Sequence, residues 1–115
     1  MTKEGLRERL DSLSSQSPLA DLQQYVNSMI EVRGFADETL KDLMIFMMAE
    51  IGELAEEVCK LSNMKIDVSK DSTAHIADEL ADVFIFLLSI CRNLNIDLFE
   101  AFKEKEEKNC SRNWK

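Results

Sequence analysis

Glycine and proline are nearly missing from this chain, at 3 and 1 among 115 residues. An all-β sandwich or barrel needs a turn signal every ~8–12 residues, so long helices with few connections are the expectation. Basic charge is also short: 14 Lys and Arg stand against 22 Asp and Glu, a formal net charge of −8. That balance argues against a sequence-independent nucleic-acid binder and against a polybasic membrane anchor, both of which offer cations to phosphates. The three cysteines, Cys59, Cys91 and Cys110, are odd in number and far apart. Neither a disulfide framework nor a zinc site follows from them, and a reducing compartment is expected. The longest apolar stretch, Val83 to Cys91, is interrupted by Ser89 and falls far short of the ~20 residues that cross a bilayer. The start, Met1 to Glu8, lacks the apolar centre of a signal peptide. A soluble cytoplasmic protein without membrane or nucleic-acid partners is expected.

What is present is a chain 45% hydrophobic and 31% charged, enough apolar material for one core at a length that suits one domain. Leu6, Leu10 and Leu13 are spaced for a short helix or an arm over residues 1–16, and residues 17–115 read as one helical domain. Ser17 followed by Pro18 reads as a cap and first-turn proline. It opens a helix with Leu22, Val26, Met29 and Ile30 on one face, ending near Gly34. Asp37 is the next plausible cap, for a long amphipathic helix reaching about Leu61. Ser62 to Asp71 breaks the period and reads as a loop. A third main helix runs from about Ser72 to Leu94, and Asp97 with Glu100 forms a capping-box variant that opens a fourth. The fold class is therefore all-α, a four-helix-bundle-like arrangement of antiparallel helices. The cysteines and six methionines read as core filler.

The informative residues are acids that interrupt apolar runs. Met47-Met48-Ala49-Glu50-Ile51-Gly52-Glu53-Leu54 places two glutamates three apart, and Ile76-Ala77-Asp78-Glu79-Leu80-Ala81-Asp82-Val83 does the same with Glu79 and Asp82. At about 100° per residue each pair shares a helix face, its members about 60° apart. In the second main helix the stripe of Leu40, Met47, Ile51, Leu54 and Val58 centres about 70° from Glu50, with Glu53 on the other side. In the third, Ile76, Leu80, Val83, Leu87 and Leu94 centre about 70° from Glu79, with Asp82 opposite. Packed antiparallel, the two helices bring both acid pairs to one rim of the core. Two unit charges about 4 Å apart repel by roughly 4 kcal/mol at an effective dielectric of 20, so such a cluster calls for protonation, separation or a cation. An all-oxygen donor set suits Mg²⁺ or Mn²⁺, and Mg²⁺ commonly joins carboxylates to substrate phosphates. Glu56, Glu57 and Asp78 read as solvated surface. In the last helix Leu98, Phe102, Lys105 and Asn109 fall within about 60° of arc. Lys105 and Asn109 thus fit either phosphate contacts or a snorkelling lysine on a mixed-charge surface helix.

These residues together resemble a known family. Glu50-Ile-Gly-Glu53-Leu-Ala-Glu-Glu, followed after 25 intervening residues by Glu79-Leu-Ala-Asp82-Val, is similar to the E-x-x-E…E-x-x-D signature of the MazG-like all-α nucleoside triphosphate pyrophosphohydrolases. The turn Asn95-Ile-Asp97-Leu98 and the tail Lys105-Glu-Glu-Lys108-Asn109-Cys-Ser-Arg112 resemble that family's turn and basic, Asn-containing end. The similarity covers roughly Val32 to Arg112. It implies a MazG-type fold and the hydrolysis of a (deoxy)nucleoside triphosphate to monophosphate and pyrophosphate in nucleotide-pool cleaning. Glu50, Glu53, Glu79 and Asp82 are implied as Mg²⁺ ligands and catalytic acids, one of them polarising the attacking water, with Glu53 chosen. Lys105, Asn109 and Arg112 are implied as phosphate or sugar contacts. Phe86 stands where deoxycytidine-preferring relatives often carry a Tyr, and Phe35 and Phe46 are the aromatics near the second main helix's start. Trp114 fits either stacking on a base from a neighbouring chain or a minor packing contact, and His75, one turn before Glu79, either a partner of that acid or an incidental neighbour.

Two other classes of reading compete. A noncatalytic helical interaction module with an acidic groove fits the composition, but gives no reason for matched acids beside the core. A ferritin-like di-iron bundle wants Glu-x-x-His pairs, and the chain has none. Val83 to Cys91 is apolar nearly all the way round, which one layer of helices in so short a chain does not cover. A homodimer or a dimer-of-dimers tetramer with an oligomeric core is therefore expected.

Overall fold

A computed structural model describes residues 1–63 and 71–114, and every regular element among them is a helix. These are α1 (Lys3–Ser12), α2 (Leu19–Arg33), α3 (Leu40–Asn63), α4 (Asp71–Leu94) and α5 (Leu98–Cys110). The chain divides into two compact units, one formed by Met1–Asp37 with Cys91–Lys115, the other by Glu38–Ile90. The expected loop over Ser62–Asp71 lies largely outside the described residues, although its two ends are helical.

In the first unit, Thr2 caps α1 by accepting the Gly5 amide at 3.0 Å on its hydroxyl. Leu6 is buried and Leu10 is not, so the short leucine stripe holds at one residue. Arg9 on α1 donates to the Ser28 hydroxyl of α2 at 2.6 Å. Pro18, not Ser17, occupies the cap position of α2, and it makes no side-chain cap bond. The Ser17 hydroxyl is engaged elsewhere, accepting the Ser14 amide at 2.8 Å. Val26, Met29 and Ile30 are buried as their spacing predicts. α2 ends at Gly34, whose φ of 76° is left-handed, a conformation a residue without Cβ adopts at little cost. There the Phe35 amide reaches back to the Ile30 carbonyl at 2.9 Å, the long bond of a Schellman close. Asn95, with φ 54°, ends α4 in the same manner as the Ile96 amide reaches the Cys91 carbonyl at 2.8 Å. Asp97 then caps α5 by accepting the Glu100 amide at 3.1 Å, as its spacing predicts. The Gln23 amide clasps this junction, donating to the Ile96 carbonyl and accepting from the Leu98 amide, each at 2.9 Å. Arg92 pairs with Glu31.

In the second unit the cap of α3 is Thr39, not Asp37. The Thr39 hydroxyl accepts the Asp42 amide at 3.2 Å while the Asp42 carboxylate accepts the Thr39 amide at 3.0 Å, a reciprocal box that satisfies two otherwise open donors. α3 and α4 run antiparallel. Phe46, early in α3, stacks at 6.0 Å between centroids on Phe86, late in α4, whereas Glu50 and Glu53, further along α3, meet Glu79, near the start of α4. Ser89, buried in the apolar run, is satisfied by donating to the Ile85 carbonyl at 2.8 Å.

Burial corrects the expected stripes in part. Leu43 and Leu88 are buried, while Leu40, Ile51, Val58, Leu80, Leu87 and Leu94 remain at the surface of the single chain. The core-filler reading of the cysteines holds only for Cys91, since Cys59 and Cys110 are exposed. Among the methionines Met29 is buried, but Met1, Met44 and Met48 are not. Helical spacing places a residue on a face without saying whether anything covers that face.

Candidate metal centre

Glu50 and Glu53 project from one side of α3, three residues apart, toward Glu79 on the antiparallel α4. One carboxylate oxygen from each of the three lies within 4.8 Å of the others. Glu50 and Glu79 are half-buried and Glu53 is exposed. The Oε2 atoms of Glu50 and Glu79 are shut off from solvent and have no hydrogen-bond partner. A buried acceptor left unpaired costs its desolvation, and more when it is charged. Two residues with such atoms, clustered with a third carboxylate, describe a place where positive charge is wanted.

The proton affinities say the same. Glu53 is held above the ordinary 4.5, chiefly by repulsion from the Glu79 charge and secondarily by burial. Glu79 is also raised, first by its side-chain neighbour Glu50, then through burial. The charge of Asp82 pushes in the same direction. Asp82 itself sits one turn along α4, exposed, and is not part of the three-oxygen cluster. The structure thus brings together three of the four expected acids and leaves the fourth at their edge. Among the described residues the donor set is all oxygen, with no cysteine or histidine ligand; His75, one turn before Glu79, is exposed. Such a set fits a hard divalent cation.

The remaining expected residues divide between the two units. Phe86 belongs with the acids, half-buried against Phe46 with the rings tilted by 39°. Phe35 follows the Gly34 close in the first unit and is exposed. Lys105 is exposed on α5, and the Asn109 amide donates to the Glu106 carboxylate at 2.9 Å. At the end of α5, Trp114 Nε1 donates to the Asn109 carbonyl at 2.8 Å. The Arg112 guanidinium carbon lies 5.6 Å from the Trp114 ring centre. This local cluster was not anticipated from sequence. Its only trace there is the short spacing of Asn109, Arg112 and Trp114 beyond the last apolar residue of α5.

No curated protein matches this chain. The model of a family described as dUTPase does match, over residues 16–114, a span that takes in α2 to α5 and all of the acids above.

Proposed function

Since the chain belongs to the dUTPase family, matched over residues 16–114, an all-α nucleotide-hydrolase family, we propose that it hydrolyses a deoxynucleoside triphosphate to the monophosphate and pyrophosphate, with dUTP the first substrate to test. The observation that carries this reading is the cluster of Glu50, Glu53 and Glu79 oxygens within 4.8 Å, two of whose buried atoms lack any partner. Glu50 and Glu79 would hold Mg²⁺, or Mn²⁺ in its place, with Asp82 completing the set from the next turn of α4. When bound, the ion supplies charge compensation for the phosphate oxygens and the departing pyrophosphate.

In this reaction a water oxygen bonds to the α-phosphorus as the bond to the α–β bridging oxygen breaks. The bridging oxygen leaves with the β-phosphate as pyrophosphate. On this reading Glu53, the exposed member of the cluster, would orient that water and take its proton in place of ligating the ion. Phe86, backed by Phe46, offers an apolar face to the sugar, and Phe35 a stacking surface for the base. Lys105, Asn109 and Arg112 contact the substrate on this reading, an assignment that rests on the tail motif. The apolar side chains left at the surface, Ile45 and Met48 of α3 and Leu80 of α4 among them, support a homodimer or dimer-of-dimers tetramer, since patches of this kind are commonly covered in an assembly. No helix among the described residues is long and apolar enough to cross a membrane. A cytoplasmic, nucleotide-pool-cleaning role in which the protein removes unwanted nucleotides fits this reading.

The test is incubation with a panel of deoxy- and ribonucleoside triphosphates and Mg²⁺, with products separated. Monophosphate plus pyrophosphate from dUTP is expected. Diphosphate plus phosphate, or no turnover of any triphosphate, would overturn the reading.

A further inference from the structure

The contacts at the end of α5 form a chain of positions. The indole Nε1–H of Trp114 is fixed on the Asn109 carbonyl at 2.8 Å. The ring so fixed carries the Arg112 guanidinium over its face, 5.6 Å from ring centre to guanidinium carbon. Asn109 in turn is anchored through its side-chain amide to Glu106 at 2.9 Å. Arg112 lies past the last residue of α5. A long side chain there has many rotamers, and holding it for one ligand costs ordering entropy at the moment of binding. An aromatic face reduces that cost because the planar guanidinium stacks on it while its N–H donors stay free at the edge.

We propose that Trp114 is a positioning residue: its ring sets Arg112 beside Asn109, so that the end of α5 presents a pre-placed guanidinium to the phosphate chain of the nucleotide. Trp114 touches neither the reacting phosphorus nor the carboxylates in this role; it acts through Arg112. The inference rests on the functional reading above, in which Arg112 contacts the substrate. It adds a residue that the tail motif quoted from the sequence does not include.

The experiment compares wild type with Trp114→Phe, Trp114→Ala, Arg112→Ala and the double variant Trp114→Ala/Arg112→Ala in steady-state hydrolysis of dUTP with Mg²⁺. Trp114→Ala should raise KM about two- to fivefold with kcat kept, the size expected of an exposed cation–aromatic contact. Trp114→Phe, which keeps a ring face, should recover most of that loss. In the Arg112→Ala background the second substitution should add nothing, because Trp114 has then lost the group it places. An unchanged KM in Trp114→Ala, equal losses in the Phe and Ala variants, or additive losses in the double variant would each overturn the proposal. If Arg112→Ala keeps the wild-type KM, the proposal falls while the hydrolase reading stands.

A second readout separates the two failures. Trp114 is the chain's sole tryptophan, so its emission reports this cluster alone. Pyrophosphate with Mg²⁺ should change that emission saturably in wild type, and the midpoint should move at least about tenfold upward in Arg112→Ala. That result would uphold the local assignment even if no triphosphate in the panel were hydrolysed, and an emission insensitive to pyrophosphate would overturn it.

Discussion

Glu79 is a carboxyl held against its own charge, and the consequence can be followed in pH. With Glu53 and Glu79 both raised above 4.5 in the folded chain, folded and unfolded states are protonated alike at the acid end. As pH climbs past 4.5 the unfolded chain releases these protons first, and the folded state loses stability until its own raised values are passed. The ion-free protein is therefore expected to lose thermal stability across that window through these two groups. Mg²⁺ should restore it, increasingly so as the carboxylates ionise. Melting temperatures across pH, with and without Mg²⁺, check this. In Glu79→Gln the decline should flatten and the Mg²⁺-dependent rise should shrink; an undiminished rise would place the ion elsewhere. For turnover, Glu53→Gln and Asp82→Asn should each cost about a hundredfold or more while the far-UV circular dichroism stays helical. Near-normal activity in either would mean that the acid is not part of the machinery. Asp82 is the more informative of the two, because it was expected from its spacing yet stands outside the three-oxygen cluster.

Helix ends show how much of each element was legible and where reading stopped. Gly34 and Asp97 could be identified from residue type because each meets a demand that few side chains satisfy, a left-handed close in one case and an amide acceptor in the other. Asp37 and Thr39 both have the chemistry of a cap. What chose Thr39 was the partner three residues on, since Asp42 answers its amide and closes the box. Thr39→Ala should accordingly destabilise by about 1 kcal/mol, read as a lower urea midpoint at unchanged slope. Asp37→Ala should shift the midpoint far less; the reverse order would refute the assignment. The acid pairs were legible because a period of 3.6 residues fixes their angle to the stripe whatever surrounds the helix. Their meeting required the antiparallel pairing of α3 and α4, which Phe46 and Phe86 register at the opposite end of the contact. The clasp by Gln23 on Ile96 and Leu98 was invisible for a different reason. It joins residues more than seventy positions apart through an amide whose type carries no positional signal.

At the scale of the whole molecule, the apolar surface of α3 and α4 sets the next expectation. Ile45 and Met48 are each more than half exposed in the single chain, so light scattering at micromolar concentration should give a mass of at least two chains. Ile45→Glu combined with Met48→Glu should reduce the assembly if that face is the interface, and a monomeric wild type would remove the inference altogether. The three thiols divide the molecule in another way. Cys59 and Cys110 are open to reagent, whereas Cys91 is buried and its thiol pushed upward by that burial, so little thiolate is on offer. Labelling with a thiol-specific dye should therefore run in two phases: a prompt pair, then a straggler whose rate is set by how often the end of α4 swings clear of its neighbours. Cys91 is thus a stopwatch built into the chain, one that times the breathing of its own surroundings without any substitution at all.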